Sequence, residues 1–144
     1  MTESMETLDR FIEAQRTDYG IALGEIRDGR KRRHWIWYIF PQLKGLGVSY
    51  NSEYYGISGL EEAGRYLSHP ILGMRLREIT GVLLSLEGRD VFEIFPYVDA
   101  LKVHSCMTLF DAVSPNDVFN RVLDKYYGGN RDALTLEIIH TNHP

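Results

Sequence analysis

The stretch His34-Trp-Ile-Trp-Tyr-Ile-Phe-Pro-Gln-Leu43 follows directly on the basic run Arg30-Lys31-Arg32-Arg33. Both tryptophans of the chain lie in it, with a tyrosine, a phenylalanine and two isoleucines. A run this apolar has to be buried, while consecutive cations have to stay near water or near anions. The boundary between them is the natural mouth of a pocket. It marks a place for function without naming a reaction. Periodicity does not separate a buried strand from a short buried helix here, because both faces are apolar. Helix is the better reading, since no other segment offers a convincing strand partner. Pro41 disfavours continuing it, and Gly45-Leu-Gly47 opens a loop.

The rest of the chain reads as helix. Leu8, Phe11, Ile12 and Gln15 begin a helical pattern, and Tyr19, Ala22, Leu23 and Ile26 follow up to a stop at Gly29. Ser58 is placed to cap a helix through Leu60, Ala63, Tyr66 and Leu67. Pro70 suits the first position of the next, whose Leu72, Leu76, Ile79, Leu83 and Leu86 form one stripe. A further helix spans Asp99 to Val113. Ser114-Pro115 then offers a cap and first-turn proline for Val118, Phe119, Val122 and Leu123. Gly128-Gly129 ends that helix, and Leu134, Ile138 and Ile139 mark a last one. With 144 residues and no repeat or linker, the expectation is all-α: one compact domain, 1–144, of seven or eight helices.

A net charge of -4 argues against a general nucleic-acid binder. Yet Arg27, Arg30, Lys31, Arg32 and Arg33 put five of the sixteen basic residues within seven positions. Cys106 is the only cysteine, so no intrachain disulfide forms and nothing points to secretion. The N-terminus lacks the regions of a signal peptide. The apolar runs fall far short of the roughly 20 residues that cross a bilayer. A cytoplasmic bacterial-type protein without a membrane partner is expected, and the oligomeric state is not legible. His-Glu-x-x-His, paired Cys-x-x-Cys, phosphate-loop and Gly-x-Ser-x-Gly patterns are all missing, so neither a metal nor a cofactor is expected. His140 and His143 read as a tail rather than as a metal site.

The helix from Asp99 carries the residues with chemistry. At about 100° per residue, Val103, Cys106, Met107, Phe110 and Val113 share one side, while His104, Thr108 and Asp111 face away. Lys102 stands at the edge of the apolar arc with Ser105 beside it. Asp99 lies near the centre line. Two plain structural roles compete for Lys102: a packed stem with its ammonium in water, or a helical pair with Asp99. The functional reading is a pocket lined by Asp99, Lys102 and Ser105, shared with the basic segment and open to a phosphate-bearing ligand. Arginine binds phosphate in a bidentate manner, and an anion would relieve the repulsion among Arg30, Lys31, Arg32 and Arg33. Trp35 or Trp37 beside Arg33 and His34 would wall a base or ribose, although tryptophans are more often core. His34 has the pKa range for acid-base work. Asp99 is the candidate catalytic carboxylate. Gln15, Arg30, Lys31, Arg33, His34, Trp35, Trp37, Gln42, Lys102 and Ser105 are the candidate ligand set.

Several motifs carry a resemblance: Phe11-Ile-Glu-Ala-Gln15, Gly29 to Gln42, Gly45-Leu-Gly47, His69-Pro-Ile-Leu-Gly73, Asp99-Ala-Leu-Lys102 and Ser105-Cys-Met-Thr-Leu-Phe110. Together they resemble number eighteen-ten in the domain-of-unknown-function series, whose bacterial members are sometimes labelled calpastatin. The resemblance covers nearly the whole chain, implies a compact all-helical domain and leaves the activity open. That family usually shows two serines before Met-Thr-Leu-Phe, and here the second is Cys106. The order of elements is also similar to that of the NADAR family, helical proteins of NAD and ADP-ribose metabolism that include ADP-ribosyl glycosidases. That likeness implies a pyrophosphate site at the basic run, with Asp99 as the acidic group.

Two functions are therefore in play. One is a protein that binds or processes a nucleotide-like anion, of the N-glycosidase type, with Asp99 or Glu93 facing the developing oxocarbenium ion. The other is a non-catalytic interaction module that exposes the basic loop.

Overall fold

The computed structural model describes residues 3–141, and side chains from Leu8 onward. Nine helices are present among them and no sheet: α1 (Glu3–Arg27), α2 (Ile36–Ile39), α3 (Tyr50–Tyr54), α4 (Leu60–Ser68), α5 (Leu72–Ser85), α6 (Val91–Ile94), α7 (Tyr97–Val113), α8 (Val118–Tyr127) and α9 (Ala133–Thr141). The fold is all-α. The two apolar patterns of the N-terminal third belong to one continuous helix, α1, whose chain turns at Gly29 with φ of 79°. The aromatic run forms α2, a single turn. His143 lies outside the described residues.

Helix α7 is the centre. It packs on α4, α8, α9 and α6, and α5 in turn joins α1, α4 and α8. That surround buries most of α7 from Val103 to Phe110, while Tyr97, Val98 and Leu101 in its first turns stay exposed. Thr108, which helical periodicity turns outward, is 1% exposed because α9 covers it. Its hydroxyl donates to the His104 carbonyl and accepts the Asp132 amide. The stripe Leu72, Leu76, Ile79 and Leu83 is fully buried, as the pattern requires.

Three helix starts differ from the sequence expectation. Ser58 makes no side-chain cap: Gly59 occupies the cap position of α4, and the Ser58 amide donates to Glu62. Pro70 precedes α5, while His69 Nδ1 accepts the Ile71 and Leu72 amides. Asp117, not Ser114, caps α8; the Ser114 hydroxyl donates to the Asp117 carboxylate. At α5 and α8 a neighbouring acceptor reaches the free amides better than the residue that the pattern suggests, whereas α4 starts without a side-chain cap.

The loop after α2 is held by a short parallel bridge. Lys44 N–H donates to the Ile57 carbonyl, and Ile57 N–H to that of Gln42. This places Gln42 against α7. Gly56 permits the close passage, since a side chain there would meet the Lys44 backbone.

Candidate functional site

The basic segment is built on a carboxylate that the charge pattern did not single out. Glu25 sits on the buried face of α1 and is only 4% exposed. Its Oε1 accepts the Arg32 amide at 2.8 Å, the Arg33 amide at 3.0 Å and the Trp35 indole N–H at 2.9 Å. Its Oε2 takes the Arg33 guanidinium at 2.7 Å. Burial alone would push this carboxyl up. The hydrogen bonds from Arg32, Arg33 and Trp35 outweigh it and hold the group at about 2. Arg32 also faces Asp28 at 3.5 Å. Lys31 is buried, pairs with Asp99 at 2.7 Å and lies over the Trp35 ring.

The protein thus supplies its own anions to three of the four consecutive cations. Arg30 is the exception. It is exposed, and its side chain has no hydrogen bond or ion pair among the described residues.

Arg30 lines a groove of 440 Å³ with Lys31, Arg89, Phe92, Glu93, Ile94, Phe95 and Pro96. That volume is in the range of small-molecule sites, roughly 300–1,000 Å³. The Lys31 amide donates to the Ile94 carbonyl and ties the basic segment to α6. Arg89 has no hydrogen bond or ion pair among the described residues. Its guanidinium lies across Gly29, where a side chain would meet Nε at 2.5 Å. Gly29 is therefore needed for the turn and for the approach of a second arginine. Glu93, the one carboxylate of the lining, accepts the Asp90 amide in a capping box. Phe92 stacks on Tyr97, and both rings are more than half exposed.

Lys102 and Ser105 line a different cavity. It measures 210 Å³ and includes Gln42, Leu46, Val98, Leu101, Asp132 and Leu134. A narrow recess of about 10 Å³ adjoins it through Gln42 and Lys102 and is walled by Trp37, Phe40 and Tyr55. The single shared pocket expected from sequence is divided: Arg30 and Lys31 line one cavity, Lys102 and Ser105 another. Asp99 connects them, one turn from Lys102 and bonded to Lys31. The helical pair between Asp99 and Lys102 does not form, because Lys31 takes the carboxylate.

Two other candidates are committed to the interior. Gln15 Nε2 donates to the Tyr38 carbonyl and the Tyr66 hydroxyl, and its Oε1 accepts from Arg75. Trp35 is 1% exposed, so it is core and not a ligand wall. His34 is exposed, and its ring has no hydrogen-bond partner among the described residues. Periodicity missed Arg89, Phe92, Glu25 and Asp132. Only Glu25 left a readable sign, a carboxylate within the buried stripe of Ala22, Leu23 and Ile26. No group of three metal-ligating side chains occurs among the described residues, and no helix there is long and apolar enough to cross a membrane.

A helical protein with one cationic groove and one mixed-charge cleft is the class that this geometry defines. The chain belongs to the family described as a protein of unknown function, DUF1810, which it matches over residues 5–139. It is similar to the crystal structure of the conserved hypothetical protein Rv1873 from Mycobacterium tuberculosis, with 48% identity and a TM-score of 0.91. The match covers 92% of this chain and 96% of that one. No curated protein matches the sequence.

Proposed function

We propose that this protein binds a phosphate-bearing, nucleotide-like small molecule in the Arg30–Arg89 groove. One observation carries the reading: two guanidinium groups without partners among the described residues line one cavity of ligand size, beside an exposed aromatic ring. Guanidinium groups suit phosphate oxygens, and Phe92 offers a face on which a base can stack. ADP-ribose or NAD fits this chemistry, with the pyrophosphate on the arginines. In an N-glycosidase reaction the C1–N electron pair leaves with the nitrogen, and water adds to the sugar carbon. Asp99, held beside the groove by Lys31, is the carboxylate that would stabilise the cationic sugar or take the proton of water.

A thermal-shift screen of ADP-ribose, NAD, AMP and inorganic phosphate tests the reading. A ligand at a hundred times its Kd adds about 2.7 kcal/mol of stability, so Tm rises. Arg89→Gln should lose most of that rise. No rise with any of the four, or an equal rise in the variant, contradicts the proposal. A second reading, a non-catalytic interaction module, is favoured by the exposure of Tyr97, Val98 and Leu101 in the first two turns of α7. It predicts no small-molecule response at all.

A further inference from the structure

The cleft between α7 and α9 carries chemistry of its own. Lys102 is half-buried and has no hydrogen bond or ion pair among the described residues. The Gln42 side chain, in the same lining, likewise has no such partner there. Asp132 is the opposite charge. Its Oδ2 takes the Thr135 amide at 3.0 Å, the Thr135 hydroxyl at 2.6 Å and the Ser105 hydroxyl at 3.3 Å. Its Oδ1 accepts nothing from the described residues. A lysine and an aspartate therefore line one cavity of 210 Å³ without pairing with each other. Leu46, Val98, Leu101 and Leu134 complete the wall, and the last three are 58%, 44% and 62% exposed.

We infer that this cleft binds a small zwitterion with an aliphatic side chain, an α-amino acid of about the size of leucine. Charge and shape select this ligand. Unlike the groove at Arg30, the lining holds one cation and one anion, so a dianion such as phosphate would meet the Asp132 charge. A lone carboxylate would leave Asp132 Oδ1 without a donor, and a lone amine would leave Lys102 without an acceptor. A zwitterion serves both: its carboxylate accepts from Lys102 and the Gln42 amide, and its ammonium donates to Asp132. The apolar wall then takes the side chain. The cavity is smaller than those of drug-sized ligands, which limits the ligand to a few heavy atoms. The inference is independent of the groove at Arg30 and Arg89.

Backbone amide shifts in a two-dimensional NMR titration test it, with L-leucine, isocaproate and isoamylamine as probes. L-leucine should shift residues 42–46, 98–105 and 132–135 saturably. Isocaproate lacks the ammonium and isoamylamine the carboxylate, so each should bind about tenfold more weakly or worse. Lys102→Met keeps the packed stem, and Asp132→Asn keeps an oxygen for the start of α9; each should weaken leucine by a similar factor. Leu134→Gln alters an exposed position only, so it leaves the fold intact and should still reduce affinity. Isocaproate binding as tightly as leucine overturns the zwitterion assignment. An absence of saturable shifts, shifts elsewhere, or leucine affinity unchanged in K102M, D132N and L134Q overturns the site.

Discussion

Four donors converge on Glu25, and they order the chain from Arg32 to Trp35. Removing the charge while keeping the shape isolates its contribution. Glu25→Gln would turn an amide N–H₂ toward groups that are themselves donors. The expected loss is about 2 kcal/mol, the scale for leaving buried donors such as the Trp35 indole N–H without an acceptor, read from the urea midpoint. The pH dependence has a definite sign. This carboxyl is lowered from its ordinary 4.5 to about 2 in the folded chain. Its stabilisation is therefore complete above about 4.5 and is lost as pH falls toward 2. The Glu25→Gln variant should lack that part of the acid loss, and parallel stability profiles for the two proteins would contradict the assignment. At this scale the sequence was half legible. Its cations were plain, whereas the anions that answer them are Glu25 in α1, Asp28 just after it and Asp99 in α7, and linear reading could not bring the last of these to Lys31.

Among the helices, α5 shows how one element holds two glycines for different reasons. Gly73 meets the end of α4 so closely that an added side-chain carbon would lie 1.9 Å from the Leu67 carbonyl oxygen. Gly81, two turns further on, has nothing within 4 Å. Gly73→Ala should destabilise by about 3 kcal/mol, because backbone has to move. Gly81→Ala should stabilise by up to about 1 kcal/mol through helix propensity. Thermal denaturation of the two variants measures both signs, and shifts in the same direction would refute the packing described here. The leucine stripe of α5 was readable because fourteen residues give the period time to show. Helices α3 and α6 have five and four residues, too few for any period. For α6 the capping box of Asp90 and Glu93 was the available sign.

At the scale of the whole molecule, both cavities are built from residues far apart in the chain. The Arg89 guanidinium lies across Gly29 and lines the same groove as Arg30, and Asp132 at the start of α9 accepts from Ser105. Neither arrangement has a local signature, so the sequence located a cationic mouth and a pocket-edge lysine but merged their two cavities into one. It also assigned the aromatic wall to the tryptophans. The core claimed Trp35 through Glu25, and Phe92 stands at the groove instead. The two cavities are proposed to take different ligands, a phosphate-bearing one at Arg30 and Arg89 and a zwitterion at Lys102 and Asp132. Salt separates them further: attraction dominated by net charge weakens as the screening length falls from about 10 Å at 0.1 M to about 3 Å at 1 M. ADP-ribose affinity should drop steeply over that range and leucine affinity much less.

A crystal structure of the protein soaked with ADP-ribose tests the central claim most directly. The pyrophosphate oxygens should lie within hydrogen-bond distance of both Arg30 and Arg89, with the adenine against Phe92. Ligand density at another surface, or a groove still empty at saturating ADP-ribose, would contradict it.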